Sequence, residues 1–260
     1  MKTKIKTVCV CLPHNYNAFD KYFIMSLLEM VQYFYDFGSK FGYRLSIICQ
    51  GGYQLDEMRN MLVDTALDYD QDFIIFLDTD MTFPRETLVK LICNIENNKK
   101  FGIEAVTGLY VRKKPPYAPH IYAVYDPKRR KFRMSAQFPM DKIFPVEGAG
   151  GGCLAVKKEV FQRIKRPYFK FKNDNKKEKM YKRKGFMPNL VGEDLYFCLK
   201  ANPKLFCDPT ILCKHYKEVG FDIDDYLKHN NIKGDRTGFS LTPEQLKNIA
   251  QEYEKSKTNG

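Results

Sequence analysis

The sequence predicts an α/β protein: a mostly parallel sheet flanked by helices, with a smaller mixed or antiparallel part. Over the first 110 residues, apolar runs typical of strands alternate with segments of helical periodicity, and this order predicts parallel strands joined by right-handed crossovers. One run, DFIIFL at 72–77, is apolar on both faces, as expected of a central parallel strand. After residue 110 the pattern changes to short strands and a glycine run, which predicts the smaller part.

The elements of the first half follow from periodicity and from start and stop signals. The first helical pattern has apolar residues three and four positions apart and stops at Gly38. Pro84 occupies a favourable first position of the third predicted helix. The predicted strands are 5–12, 43–49, 72–77 and 104–110, and the predicted helices are about 19–37, 55–67 and 84–97.

The second half contains shorter elements. PHIYAVYD and KFRMSA read as a hairpin, and KIFPVEGAGGGCLAVKKEVFQRI reads as a strand, a glycine run, a strand and a short helix. A helix starts at GEDLYFCLKAN, two short strands follow in KLFCDPTILCKHY, and Thr242 with Gln245 caps a last helix. We therefore predict one domain over 1–220, divided into halves 1–110 and 111–220, and a helical extension over 221–260.

Composition and cysteine usage narrow the class of protein. The 260 residues are 44% hydrophobic and 28% charged, which is ordinary for a globular domain. No apolar run approaches the roughly 20 residues of a membrane span, and the N-terminal run reads as a strand and not as a signal peptide. The eight cysteines form no CxxC pair and lie mostly in apolar runs, which indicates reduced, buried thiols. These features predict a cytoplasmic protein without a transmembrane segment.

The net charge of +12 arises from an excess of basic residues in two segments. Residues 157–186 hold 13 Lys and Arg against 3 acids, and residues 112–133 hold 8 against 1. Such segments attract phosphates, an anionic membrane surface or nucleic acid, although a solvated lysine-rich loop has the same composition. We expect peripheral membrane contact through these segments to be feasible and expect no nucleic-acid partner.

The most informative motif is a pair of aspartates, Asp78 and Asp80, directly after the central strand. In an extended segment alternate side chains point the same way, so the two carboxylates converge and Thr79 points away. They lie at the carboxyl end of a parallel strand, where open sheets bind ligands. Convergent carboxylates repel each other unless a cation lies between them, and a divalent metal is the natural partner. The alternative is a strand-end turn with helix-capping aspartates.

Three chemistries use such a pair. A phosphatase of the haloacid-dehalogenase type has a matching nucleophile motif, but that motif normally opens the fold and its later GDxxxD partner does not occur here. A nucleotidyl polymerase binds two metals with similar aspartate motifs, but this chain is too short for the palm and fingers of a polymerase. The third is a nucleotide-sugar glycosyltransferase.

The order of several short motifs resembles the GT-A glycosyltransferases, particularly the family-2-like enzymes, from about residue 5 to 216. LPHN looks like the loop that meets the nucleotide base, and DEMRNMLVDTAL resembles the helix whose Arg-Asn pair lies near the nucleotide. DFIIFLDTDMTFP is similar to the family's strand and DxD motif, VEGAGGGCLAVKKEVF to its glycine-rich wall, and GEDLYFCLKA to its ED motif. CKHY places a histidine where several relatives have a third metal ligand.

The resemblance implies a GT-A-type, Rossmann-like fold, with a nucleotide-binding half at 1–110 and a sugar and acceptor half at 111–220. It also implies Mn²⁺ or Mg²⁺ as cofactor and Asp194 as general base, with Glu193 as its neighbour or substitute. The metal ligands would be Asp78, Asp80 and His215. The residues implied in nucleotide-sugar binding are Pro13, His14, Asn15, Arg59, Asn60, Asp78, Thr79, Gly150, Gly151 and Gly152.

The predicted activity is metal-dependent transfer of a sugar from a nucleoside diphosphate donor, UDP- or GDP-linked, to a glycan or other hydroxyl acceptor. We expect inversion, because only one carboxylate has a family precedent near the glycine-rich wall. We expect single-sugar transfer, because no QxxRW follows the ED motif. The basic segment 166–186 would be a mobile loop over the acceptor site. The haloacid-dehalogenase-type phosphatase and a catalytically inactive GT-A-like binding domain remain alternatives.

Overall fold

The computed structural model describes residues 5–15, 19–128, 131–133, 137–171, 192–216, 220–221 and 227–229. The loop predicted at 166–186 therefore falls largely outside the described residues, and so does the extension predicted at 221–260. All eight cysteines belong to the described part as free thiols; six are buried as predicted, whereas Cys93 is half-buried and Cys49 is exposed.

The described part of the chain contains fourteen strands and five α-helices whose bounds are described, together with a π-helical turn (Phe34–Gly38), two 3-10 turns (Ser39–Phe41 and Lys99–Phe101) and the helical residues 227–229. The strands are β1 (Lys6–His14), β2 (Tyr43–Gly51), β3 (Phe73–Leu77), β4 (Met81–Thr82), β5 (Ala105–Leu109), β6 (Ile121–Tyr122), β7 (Val124–Asp126), β8 (Lys131–Arg133), β9 (Phe144–Pro145), β10 (Gly148–Ala149), β11 (Cys153–Lys157), β12 (Leu205–Leu212), β13 (Lys214–Tyr216) and β14 (Gly220–Phe221). The α-helices are α1 (Lys21–Tyr33), α2 (Leu55–Asp68), α3 (Thr87–Asn97), α4 (Lys158–Gln162) and α5 (Glu193–Ala201).

Seven of these strands form the central sheet, in the spatial order β2-β1-β3-β11-β5-β12-β9. Strands β2, β1, β3, β5 and β12 run in one direction, and β11 and β9 run against them. The predicted class is confirmed: the protein has a large, mostly parallel sheet flanked by helices, compatible with a Rossmann-like GT-A fold.

The position of β11 is the main feature that the sequence order does not reveal. Strands β3 and β5 are parallel, as predicted, but they are not neighbours, because β11 lies antiparallel between them. Ala155 is opposite Ile75 on one side and Val106 on the other. The first four residues of β11 are fully buried, as a strand bonded on both edges and covered on both faces requires. The sheet thus contains strands from both predicted halves of the chain.

Helices cover both faces of the sheet, because its buried strands present apolar side chains alternately to each side. Helices α2, α4 and α5 pack on one face through residues such as Leu62, Phe161 and Phe197. Helices α1 and α3 pack on the other through residues such as Met30 and Leu91. Within the described ranges, no helix combines the length and apolarity needed to cross a bilayer.

A small sheet extends the carboxyl edge of the central sheet. Strand β13 pairs with β4, which follows β3 closely, and His215 on β13 is opposite Met81 on β4. The backbone N–H of Tyr216 also donates to the carbonyl oxygen of Asp80 at 2.7 Å. This pairing brings a histidine from the end of the domain next to the aspartates that follow β3.

Candidate active site

Two aspartates and one histidine converge at the carboxyl end of β3. Asp78 and Asp80 follow the strand directly, and β13 carries His215 to them. One ligand atom from each of the three side chains can be chosen so that all three atoms lie within 4.8 Å of one another. The predicted metal ligands are therefore brought together, in a group that could hold a metal ion.

The chemistry of this group suits a divalent cation. The Nδ1 of the buried His215 ring contacts the carbonyl oxygen of Val111, which can only accept, so Nδ1 is the donor and Nε2 is the ring nitrogen left for a metal. The Oδ1 atom of Asp80 is buried and has no hydrogen-bond partner among the described residues. A buried acceptor without a donor is costly, and a cation would satisfy it. Carboxylates with an imidazole fit Mn²⁺ better than Mg²⁺.

A buried arginine lies behind the aspartates. Arg59 of α2 is only 1% exposed, and its Nη2 donates to Asp78 Oδ1 at 2.8 Å. Its Nη1 lies 3.5 Å from Glu193 Oε1 at the start of α5. The rings of Phe76 and Phe169 each lie 5.7 Å from the guanidinium carbon. We call Asp78, Asp80 and His215 the metal group. Arg59 therefore joins the first aspartate of the metal group to the helix that carries the predicted base.

The glycine run packs against these same side chains. A Cβ on Gly151 would overlap the guanidinium of Arg59, and a Cβ on Gly150 would overlap the hydroxyl of Tyr110. At Gly152 a Cβ would lie 2.7 Å from Met81 Sδ and 3.0 Å from Asp78 Oδ2. The close approach that these glycines allow is used by the protein's own side chains. Their predicted contact with a sugar remains a prediction.

Two carboxylates begin helix α5, and their surroundings differ. Glu193 is buried, and burial raises its pKa from 4.5 to about 7, with Arg59 partly opposing the shift. Asp194 is half-buried, and its Oδ1 accepts from the N–H of Leu195 at 2.7 Å. Burial also raises the pKa of Asp194, while Arg59 and the backbone N–H of Leu195 lower it. Asp194 is thus the less buried of the two carboxylates, and its role as base stays a prediction.

Glu193 should make stability depend on pH. Because the pKa of Glu193 is raised to about 7, the folded chain binds more protons than the unfolded chain above about pH 4.5, and unfolding free energy falls as pH rises to about 7. Glu193→Gln removes that ionisation. It should be more stable than wild type by about 3 kcal/mol at pH 8 and by only about 1 kcal/mol at pH 5. Urea unfolding with EDTA present measures both values.

The matched control is Glu159→Gln, which changes an exposed glutamate in the first turn of α4. Its difference from wild type should be the same at both pH values. A Glu193→Gln variant that is no more stable at pH 8 than at pH 5 would contradict the assigned ionisation.

The remaining predicted site residues divide into two groups. The first group lies at the ends of strands: Pro13 and His14 end β1 beside β2, and the centroid of the His14 ring is 5.2 Å from that of Phe19. Of the residues that directly follow strands, Asn15 is exposed and Thr79 is half-buried. Asn60 is buried and points elsewhere: its amide donates to the carbonyl of Phe169 at 2.9 Å and accepts from the N–H groups of Tyr168 and Phe169. Asn60 therefore fixes the 168–169 segment and is not brought to the metal group.

Three further residues lie near the metal group: Tyr110, His120 and Lys113. The sequence favours a place in the hairpin core for His120 over contact with an acceptor, and assigns no role to the other two. Tyr110 accepts from the N–H of Gly152 at 2.9 Å and stacks on His120 at 5.0 Å. Burial and the neighbouring His215 lower the pKa of His120 to about 3, so the ring is neutral. The ammonium of Lys113 contacts Asp80 Oδ2. The signal in the sequence was the aromatic and basic run YVRKKPPYAPH, directly after a strand that ends at the same edge as β3.

Comparison with known proteins bears on the fold. No family model matches the sequence. A search of curated proteins also finds no match. Among solved structures, A197 from STIV matches with a TM-score of 0.55 and 19% identity, over 85% of this chain and 91% of that one. At this identity the likeness concerns the fold alone.

Two further structures match with lower scores. One is a glycosyltransferase involved in the glycosylation of the major capsid of PBCV-1, with a TM-score of 0.33 and 12% identity over 87% of this chain and 100% of that one. The other, from Bacillus anthracis in complex with a sucrose, is described as a glucose-1-phosphate thymidylyltransferase, with a TM-score of 0.38 and 13% identity over 89% and 99%. At TM-scores below 0.5, neither establishes the chemistry of this chain.

Proposed function

We propose that this protein is a metal-dependent glycosyltransferase that moves one sugar from a nucleoside diphosphate donor to an acceptor hydroxyl with inversion. The observation that carries the proposal is the convergence of Asp78, Asp80 and His215 at the carboxyl end of β3. A buried arginine connects this group to the helix start that bears Glu193 and Asp194. A group that could hold a cation and a candidate base thus lie close together, joined by Arg59, at the carboxyl end of β3, where open parallel sheets bind ligands.

In this proposal each residue of the site has a distinct role. Asp78, Asp80 and His215 would hold the cation, and Arg59 would keep Asp78 in place. A bound divalent ion supplies Lewis-acid neutralisation of the charge that develops on a leaving diphosphate. Asp194 would accept the proton of the acceptor hydroxyl as that oxygen attacks the sugar carbon.

The phosphatase alternative requires the first aspartate to act as a nucleophile. Here Oδ1 of Asp78 accepts from Nη2 of the buried Arg59 at 2.8 Å. The oxygen that Arg59 engages is thus held by the protein, which favours a holding role for Asp78 over attack on a phosphoester. An inactive binding domain would keep the metal group and bind nucleotide without turnover.

A thermal-shift screen tests the proposal and separates it from both alternatives. The ligands are UDP-, GDP-, TDP- and CMP-sugars, each with Mn²⁺ or with EDTA. A ligand at 100 times its dissociation constant stabilises the native state by about 2.7 kcal/mol. For a domain of this size we expect Tm to rise by about 5 to 10 °C with one donor, and only when Mn²⁺ is present.

The outcomes are distinct. No shift with any donor in the presence of Mn²⁺ would overturn the proposed function. Release of phosphate from a generic phosphoester without an acceptor would support the phosphatase. Binding of a donor with neither transfer to an acceptor nor hydrolysis would support the inactive binding domain.

A further inference from the structure

A lysine contacts the second aspartate of the metal group, Asp80, whereas Arg59 contacts the first, Asp78. The ammonium of Lys113 contacts Oδ2 of Asp80, and the Lys113 side chain is 28% exposed. The other oxygen of Asp80, Oδ1, is the buried atom without a hydrogen-bond partner among the described residues. One carboxylate of the metal group is therefore already shared with a cation that the chain itself supplies.

A short anchored loop holds this lysine. Val111 pairs with Pro119 across the loop, and the N–H of Arg112 donates to the carbonyl of Ala118 at 3.0 Å. The same Val111 carbonyl contacts Nδ1 of His215. The loop after β5 therefore both orients the imidazole ligand and places an ammonium on the aspartate ligand.

An ammonium and a divalent cation on the same carboxylate repel each other. Binding of the divalent ion would therefore weaken the contact between Lys113 and Asp80. Lysine has a flexible stem and three donors, so its head can move without the backbone. Arg59 cannot do this because it is buried, and Arg112 donates to the hydroxyl of Tyr122 at 2.8 Å.

We propose that Lys113 is a displaceable counter-ion of Asp80, which yields to the divalent cation and then binds the phosphate oxygens of a diphosphate ligand held at the same site. A cation with only three protein ligands keeps coordination positions for such oxygens. Lys113 would then balance the negative charge that the ligand adds. The second step rests on the proposed function, whereas the first concerns only the metal.

The test is Lys113→Met, which removes the charge and keeps a similar apolar stem. Binding of Mn²⁺ alone is measured by electron paramagnetic resonance, from the loss of the signal of free Mn²⁺. Binding of UDP at saturating Mn²⁺ is measured by titration calorimetry. We expect Lys113→Met to bind Mn²⁺ alone about 3- to 10-fold more tightly, because a competing cation is gone, and to bind UDP about 5- to 50-fold more weakly. A change of opposite sign in the two measurements is not expected from a structural defect.

Two variants serve as controls. Lys114→Met removes the same charge from an exposed position beside Lys113, so it reports the general effect of net charge on Mn²⁺ affinity. Lys113→Arg keeps a cation and should restore Mn²⁺ affinity to about the wild-type value. Circular dichroism and Tm confirm that each variant folds.

Each outcome decides one step. Unchanged or weaker Mn²⁺ binding by Lys113→Met overturns the counter-ion role, as does an equal gain in Lys114→Met. Tighter Mn²⁺ binding with unchanged UDP affinity overturns the diphosphate step alone. A wild-type protein that binds Mn²⁺ but no nucleoside diphosphate overturns the diphosphate step together with the proposed function, while the Mn²⁺ measurements still decide the first step.

Discussion

Asp194→Asn should lower turnover by roughly 10²- to 10⁴-fold, the usual contribution of a general base. The variant keeps the shape of the side chain, and its amide oxygen can still accept from the N–H of Leu195. It loses only the ability to take the proton of the acceptor hydroxyl. Donor affinity, measured by thermal shift with Mn²⁺, should change little, because the metal group is intact.

The pH dependence of the wild-type enzyme gives an independent check. The pKa of Asp194 is raised above the ordinary aspartate range, mainly by burial. Activity should therefore be lost on acidification at a higher pH than an unperturbed aspartate would give, and this acidic limb should be absent in Asp194→Asn. NMR of the product decides the stereochemistry. Retention of the donor's anomeric configuration would contradict Asp194 as the base of a single displacement.

Asp80→Asn should weaken Mn²⁺ binding by at least about 100-fold and abolish metal-dependent donor binding. Loss of an outer partner of a metal ligand already costs about 10- to 100-fold in affinity, and Asp80 is itself a proposed ligand. The fold should be preserved, since the Asp80 side chain is 43% exposed and contacts Lys113 at the surface. Calorimetry with Mn²⁺ measures the loss, and Tm without metal measures the fold.

Asp36→Asn is the matched control, because it removes an exposed carboxylate from the short π-helix Phe34–Gly38 that follows α1. Its Mn²⁺ affinity should equal that of wild type. Sugar transfer that continues unchanged in EDTA would show that the reaction does not need a divalent cation, and the role given to Asp80 would be wrong.

The part of the site that the sequence predicts well depends on local geometry. A strand has a period of two, so the convergence of Asp78 and Asp80 follows from their spacing alone. Their place at the carboxyl end of a central strand follows from the buried run before them. The histidine was predicted from the order of motifs in a resembling family, and the pairing of β13 with β4 provides the structural reason for its position.

The part that the sequence predicts poorly depends on tertiary packing. The resemblance places Arg59 and Asn60 together near the nucleotide, which stays a prediction, whereas adjacent helical residues point about 100° apart. One faces Asp78 and the other the segment at 168–169. The contact of Lys113 with Asp80 joins residues 33 positions apart, and no local periodicity indicates it.

The antiparallel strand β11 has a consequence for how the chain reaches its native state. β3 and β5 are synthesised well before residues 153–157. Neither strand has both of its neighbours in the sheet until β11 has been synthesised and has paired with it. Until then FIIFL and AVTGL present unpaired backbone edges on apolar segments, which is the feature that promotes intermolecular strand pairing. Closing the sheet requires a distant segment to insert between two earlier ones, and contacts of high sequence separation slow folding. A fragment ending near residue 110 should therefore aggregate, and a nascent chain of that length should benefit from chaperones.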